Sequence, residues 1–330
     1  MKILITGCNG RIGKYLVKIL KKKHYVRGID KHHKKNNLFD DFIESNLQNK
    51  EIISRSLDDI DIVVHLASLM SWHPNDNKKL FNSNVHGTFN LFSTIGNHSI
   101  KKFIFASSGE VYPETNYNTK PITEENSTLP TSTYGLTKLL GENIVKKFCF
   151  QNNINYIILR FGHSQYPHEL FDEKSFFSGP RFYLNSKIKQ LKKFPKNSVL
   201  VNTIKNLEKE ITKQEKHYIG LDQNNIPYRM NITHVRDICS GIESAIYNKK
   251  CKNEIFNICS NQSFNFDDAI KYLSKFTKKD VVKIKLFTNP YNYDTSNEKA
   301  KYYLKYSPIY DIYKMIDEGA VLLNNNTINI

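Results

Sequence analysis

The first thirty residues constrain the chain most. Lys2-Ile3-Leu4-Ile5-Thr6 is a short apolar run of strand character, and it leads straight into Gly7-Cys8-Asn9-Gly10-Arg11-Ile12-Gly13. Ile12, Tyr15, Leu16, Ile19 and Leu20 then recur at helical spacing, with lysines on the opposite face. A second apolar run, Tyr25 to Ile29, ends in Asp30. Strand, glycine turn, helix, strand and acid together make a dinucleotide-binding unit. Gly7 permits the tight turn, Gly10 lets the backbone approach a pyrophosphate, and Gly13 lets helix and strand pack closely. The helix N-terminus, with Asn9, Arg11 and Ile12 around it, faces the phosphates, and Asp30 is placed to accept hydrogen bonds from a ribose diol. A carboxylate there selects NAD, because it repels a 2′-phosphate. Lys31, His32, His33 and Lys34 follow at once and pull the other way.

At 330 residues the chain can bury a large core. The apolar run at the start is too short for the core of a signal peptide, and no run approaches a membrane span. Five cysteines are scattered without a CxxC pair. A metal site or disulfide framework is therefore not expected, and a reduced, cytoplasmic setting is. The net charge of +16 raises the question of nucleic acid. The lysines are spread through the whole chain in pairs and triplets, so the charge reads as compositional bias and nucleic-acid binding is not expected.

Two further strands and two helices follow from pattern. Leu38 to Ser45 reads as a short helical or irregular segment, before Asn46-Leu47. Asp61 to Ser68 is an apolar, β-branched run and reads as a buried parallel strand. His65 within it reads as structural. Met70 to Pro74 is a loop with the only Trp, at the end of that strand, where loops border a pocket. Lys78 to Asn97 reads as a helix. Lys102 to Ala106 is the next strand, and it runs into Ser107-Ser108-Gly109-Glu110-Val111-Tyr112. Tyr134 and Lys138 lie on one face of a helix capped by Ser132 or Thr131. An ammonium near a phenol stabilises the phenolate, and a serine such as Ser108 would hold a substrate oxygen beside it. Together they can move a proton on and off a hydroxyl while hydride passes to or from a nicotinamide. Glu110, from the pattern alone, reads as a turn residue bound to backbone.

The GxxGxxG spacing, Asp30, the H-x-A strand end at His65-Leu66-Ala67, Asn84-Val85-His86-Gly87-Thr88, Ser108 and the Tyr134/Lys138 pair resemble the extended short-chain dehydrogenase/reductase superfamily, in particular its NAD-dependent sugar-nucleotide epimerases and dehydratases. The resemblance runs from residue 1 to about 160, then more thinly to about 260. It implies catalytic Ser108, Tyr134, Lys138 and Glu110, the last as a base that removes a proton from carbon next to a transient ketone, against the reading of a turn residue. It implies contact of Asn46, Leu47, Leu66 and Ala67 with the cofactor, a structural Asn84, and a homodimer packed through the helix of Tyr134. Glucose-type dehydratases of the family carry Asp-Glu where Gly109-Glu110 stands, which weakens a simple 4,6-dehydratase reading. Asn155 to His163 resembles the L-R-x-x-N segment, with His163 in place of the substrate-holding Asn and a structural Arg160.

The fold expected is a doubly wound parallel sheet, a Rossmann α/β fold, with a smaller C-terminal substrate lobe. Residues 1–163 make the NAD-binding domain, with 234–260 returning to it. Residues 164–233 and 261–330 make the lobe, ending in a frayed tail from Leu322. Arg181 is a candidate ligand for an anionic group, against the reading of a plain surface lobe. Arg229 is one residue out of register from the family's pyrophosphate arginine. The function expected is an NAD-dependent epimerase or dehydratase of a nucleotide sugar, working through a transient ketone. The alternatives are an NAD(P)-linked reductase of a hydroxy-ketone, or a non-catalytic member that binds dinucleotide or RNA.

Overall fold

The computed structural model describes residues 1–32, 38–96, 98–113, 121–288 and 292–325. His33 and Lys34 of the basic run, Asn97 and the last five residues lie outside it. The centre is a seven-stranded parallel sheet. Its strands are β1 (Lys2–Thr6), β2 (Tyr25–Asp30), β3 (Asp41–Glu44), β4 (Ile62–His65), β5 (Lys102–Ser108), β6 (Asn155–Phe161) and a last strand, Glu254–Ile258. In space the order is Glu254–Ile258, β6, β5, β4, β1, β2, β3, every pair parallel. Helices cover both faces, which is why β4 is apolar without alternation. On one face, α1 (Arg11–Leu20) and the helix Val235–Tyr247 bury Leu16, Val17, Ile238 and Ile242. On the other, α2 (Lys50–Leu57), α4 (Gly87–Ile95) and α5 (Thr133–Gln151) bury Ile53, Leu91, Phe92 and Val145. The strand order reverses between β1 and β4, and a crevice opens at their carboxyl ends.

Four expectations are corrected. The Leu38–Ser45 segment holds β3, an edge strand paired with β2 from Arg27↔Asp41 to Asp30↔Glu44. Its four residues carry no pattern of their own; the ladder and the Arg27 Nε bond to Asp41 at 2.7 Å set it. The 78–97 helix is a short α3 (Asn77–Leu80), a π-helical stretch Phe81–His86, and then α4. The wider turn carries Asn84, whose side chain takes Leu69 N at 2.7 Å and gives to Leu69 O at 2.9 Å and Thr137 Oγ1 at 3.0 Å. Asn84 thus ties the cavity loop to α5, a structural role. The chain end remains helical through Asn324, within Ile312–Asn324, instead of fraying from Leu322.

The lobe has its own apolar core, in which Phe182, Tyr183, Ile219, Met230, Ile270 and Met315 are buried together. Glu298–Leu304 lies elsewhere than expected. Ala300, Leu304 and Tyr306 join the layer under the sheet, beside Phe256 and Ile242, because their apolar side chains meet the last strand and the Val235–Tyr247 helix.

Candidate active site

The glycine turn is built as its spacing requires. Gly7 sits at φ +70°, and a Cβ there would stand 2.7 Å from the Ala67 backbone. Its N–H donates to Ile29 O at 2.9 Å, which ties β1 to β2. A Cβ on Gly13 would meet the Gly7 carbonyl at 2.5 Å. Asn9 N donates to Asp30 Oδ2 at 3.0 Å, and Asn9 Nδ2 to His32 O at 2.7 Å. Asn9 Oδ1 is buried and, among the described residues, has no hydrogen-bond partner.

Two cavities meet at this turn. One, about 660 Å³, runs over Asn9, Asp30, Asn46, Leu47 and Ala67. The other, about 450 Å³, is bordered by Arg11, Ile12 and Gly13 and reaches Ser108, Glu110, Tyr134, Lys138 and His163. Gly7, Gly10 and Leu66 line both. Every residue named from sequence for the dinucleotide therefore faces one cavity or the other. The bare backbone cradle, the orphaned Asn9 oxygen and the carboxylate of Asp30 fit an adenosine end in the first and a nicotinamide end in the second.

β5 delivers Ser108, and the N-terminal turn of α5 delivers Tyr134 and Lys138. Ser132 caps α5, its Oγ accepting from Gly135 N at 2.9 Å. Ser68 and Ser108 line the cavity beside Tyr134 and favour its phenolate. Burial, then the charge of Glu110, raises its phenol above the ordinary value, and those two serines oppose the rise. Burial lowers Lys138 to about 7, with Glu142 opposing. The simple expectation that Lys138 pulls Tyr134 towards neutrality is thus not met by the protein alone. Both groups are buried, and the Lys138 Nζ lies 5.9 Å from the Tyr134 ring centroid.

Glu110 is also buried, and burial raises its pKa. Trp72 Nε1 donates to both carboxylate oxygens, at 3.1 and 3.0 Å, and Ser132 Oγ donates to Oε2 at 2.6 Å. Its backbone N–H gives to Ser108 Oγ at 3.1 Å. Glu110 is therefore a cavity residue held by side chains. Gly109 beside it has no room for a side chain, because the Tyr293 hydroxyl stands where its Cβ would be and donates to the Gly109 carbonyl at 2.5 Å. An Asp at 109 would require the Tyr293 ring to move.

The residues read as structural are so. His65 bonds Thr6 Oγ1 at 2.6 Å and Thr88 Oγ1 at 3.0 Å, and burial takes it down to about 3. Arg160 is paired with Glu142 at 2.9 and 2.8 Å beneath the site, and Ser107 Oγ gives to the same carboxylate at 2.6 Å. From the lobe, Arg181 lines a third cavity of about 460 Å³ with Trp72, Lys187 and Tyr228, behind Phe176 and Phe177. Arg229 is not brought to these cavities. It is exposed, bonds Ser263 Oγ at 3.0 Å and lines a separate polar pocket, while its neighbour Met230 points into the lobe core. Strand alternation across Arg229–Met230 sends the two opposite ways. Tyr293, Ser68 and Lys187 are site residues that sequence reasoning did not single out; nothing in the local pattern at Tyr293 marks it.

The NAD dependent epimerase/dehydratase family model matches residues 3–259. A putative UDP-glucose 4-epimerase of Methanocaldococcus jannaschii is 32% identical over 168 residues, 48% of this chain and 54% of that protein. The chain thus spans about half the length of this curated relative. A short-chain dehydrogenase/reductase superfamily protein from Agrobacterium tumefaciens, solved with bound NAD, has a TM-score of 0.91 and 32% identity, covering 99% of this chain and 98% of that one. The UDP-glucuronic acid 4-epimerase from Bacillus cereus, solved with UDP-glucuronic acid and NAD, shares the fold at TM-score 0.75 and 24% identity, covering 99% and 100%. The glycine turn, the parallel sheet and this match agree: the chain belongs to the NAD dependent epimerase/dehydratase family.

Proposed function

We propose that the chain is an enzyme that epimerises or dehydrates a nucleotide sugar through a transient ketone, with Ser108, Tyr134, Lys138 and Glu110 as its catalytic residues. The observation that carries this is their convergence on one of the two cavities that the glycine turn borders. Bound at Gly7, Asn9, Gly10, Arg11, Ile12, Gly13, Asp30, Asn46, Leu47, Leu66 and Ala67, NAD supplies a hydride acceptor and a positive charge that favours a phenolate. Tyr134 takes the proton of the sugar hydroxyl whose carbon is oxidised, and returns it when the ketone is reduced. Ser108 holds that oxygen. Lys138 stabilises the phenolate and bonds a ribose hydroxyl. The ketone acidifies the adjacent C–H, and Glu110 takes that proton where the reaction requires it.

The third cavity supports a nucleotide. Arg181 and Lys187 offer charge for a diphosphate, and Phe194 and Tyr228 offer faces for a base. The exposed Leu136 on α5 and Phe89 on α4 support a homodimer through these helices. All five cysteines are free and buried, in keeping with a reducing, cytoplasmic setting. The test is mass spectrometry of nucleotide sugars incubated with the NAD-loaded protein in heavy water without reductant. Deuterium on a sugar carbon supports Glu110 as base; conversion without deuterium supports inversion through a ketone alone. No change in any sugar would overturn the reading.

A further inference from the structure

His163 and Arg181 come from different parts of the chain and meet at the partition between two cavities. His163 starts the strand His163–Gln165, whose backbone is paired with Ile232–His234, and its side chain lines the cavity of Tyr134. Arg181 sits in the turn of helix Gly179–Phe182 and lines the neighbouring cavity. Arg181 Nη2 lies 3.2 Å from His163 Nδ1. A guanidinium has donors only and keeps its charge in proteins. Nδ1 must therefore be the acceptor in this contact. A neutral imidazole that accepts at Nδ1 carries its single proton on Nε2.

The two partners are each held. Arg181 Nη1 donates to Phe177 O at 3.0 Å, and its guanidinium carbon is 5.8 Å from the Phe177 ring centroid. The His163 ring meets the Tyr293 ring edge-on, with centroids 5.7 Å apart and planes at 69°. Burial and the Arg181 charge both hold the imidazole well below its ordinary pKa, so it stays neutral. Among the described residues, Arg181 is the hydrogen-bond partner of His163, and it engages Nδ1. The proton on Nε2 is left for whatever fills the cavity.

We propose that Arg181 is a positioning residue that locks His163 as the Nε2–H tautomer, so that His163 donates one hydrogen bond to an oxygen of the sugar. The identity of that acceptor rests on the nucleotide-sugar reading; the lock does not. A fixed neutral donor accepts a hydroxyl, ring oxygen, ketone or carboxylate at this position. It refuses an ammonium, which has no lone pair to offer. It also makes His163 a specificity residue without a proton to exchange in turnover.

The lock is read by two-bond proton–nitrogen correlation on NAD-loaded protein with nitrogen-15 histidines, the His163 signals being identified by their loss in His163→Asn. The expected spectrum is the Nε2–H pattern, unchanged between pH 6 and 8. An Nδ1–H pattern, or an imidazolium in that range, overturns the proposal from the wild-type protein alone. Arg181→Met should give a mixture of tautomers or a titrating ring, whereas Lys187→Met, which removes a neighbouring charge, should leave the pattern intact. An Arg181→Met spectrum identical to wild type would overturn the lock. For the acceptor, His163→Phe should weaken nucleotide-sugar binding by about five- to tenfold, the worth of one hydrogen bond, and His163→Asn should restore most of it. Equal binding by His163→Phe overturns the donor role. If no nucleotide sugar binds the wild type while the Nε2–H pattern is present, the sugar is overturned as acceptor and the lock stands.

Discussion

The dinucleotide half and the substrate lobe are held together by different kinds of information. In the first, each contact is set by residues near in sequence. Gly7, Gly10 and Gly13 fall within one turn, Asn9 meets Asp30 across one strand pair, and Tyr134 and Lys138 share one turn of α5. In the lobe, partners are distant. Phe176 stacks on Trp72 with ring centroids 5.3 Å apart, and Tyr293 covers Gly109. A local unit has few ways to be assembled and takes one ligand class. A lobe made of long-range contacts can be rebuilt around another substrate without touching the hydride chemistry.

The comparison breaks first at Tyr134. Tyr134→Phe should lower kcat by about 10²–10⁴-fold while NAD affinity, followed by direct titration, stays near wild type. Equal loss of NAD binding would mean that the two functions of this half are not separable. The Arg160–Glu142 pair comes next, since it underlies the half that is expected to be rigid. Arg160→Met leaves a buried carboxylate without its partner and should cost about 3–5 kcal/mol in denaturant unfolding. A lobe change should act on substrate alone. Lys187→Met should raise KM for the nucleotide sugar by about ten- to a hundredfold, the worth of a charged hydrogen bond, with NAD affinity unchanged.

The remaining effect is a pH dependence. Burial brings Lys138 from the ordinary 10.5 to about 7 in the folded chain. Between those values the unfolded chain binds more protons, so on this group's account stability rises with pH from about 7 to 10.5 and is flat below 7. The melting temperature of wild type without cofactor, relative to Lys138→Met, should therefore climb over that window. A constant difference would show that the ammonium is solvated in the folded protein.

Where reading the sequence succeeded and failed follows the same division. The pattern from Lys2 to Asp30 became β1, α1 and β2 within a residue of its apolar limits, because each element is specified by its own periodicity. β3 was missed because four residues at a sheet edge depend on the strand beside them. The helix around Asn84 was found, but not its π turn, which serves contacts to Leu69 and Thr137 far away in sequence. Glu110 was visible as a carboxylate in a suggestive place. Its holders, Trp72 and Ser132, were visible only as a loop residue and a cap.

The sequence by itself determined the strands of the sheet other than β3, the dinucleotide cradle and the spacing of Ser108, Tyr134 and Lys138, since short-range spacing fixes φ, ψ and side-chain direction in each. Only the tertiary structure decided what surrounds the Tyr134 cavity. Arg229 turns away, Arg181 turns to His163, and Tyr293 fills the space that a larger residue at 109 would need. Those outcomes depend on which distant side chains occupy one volume, and close packing of the folded chain alone resolves that competition.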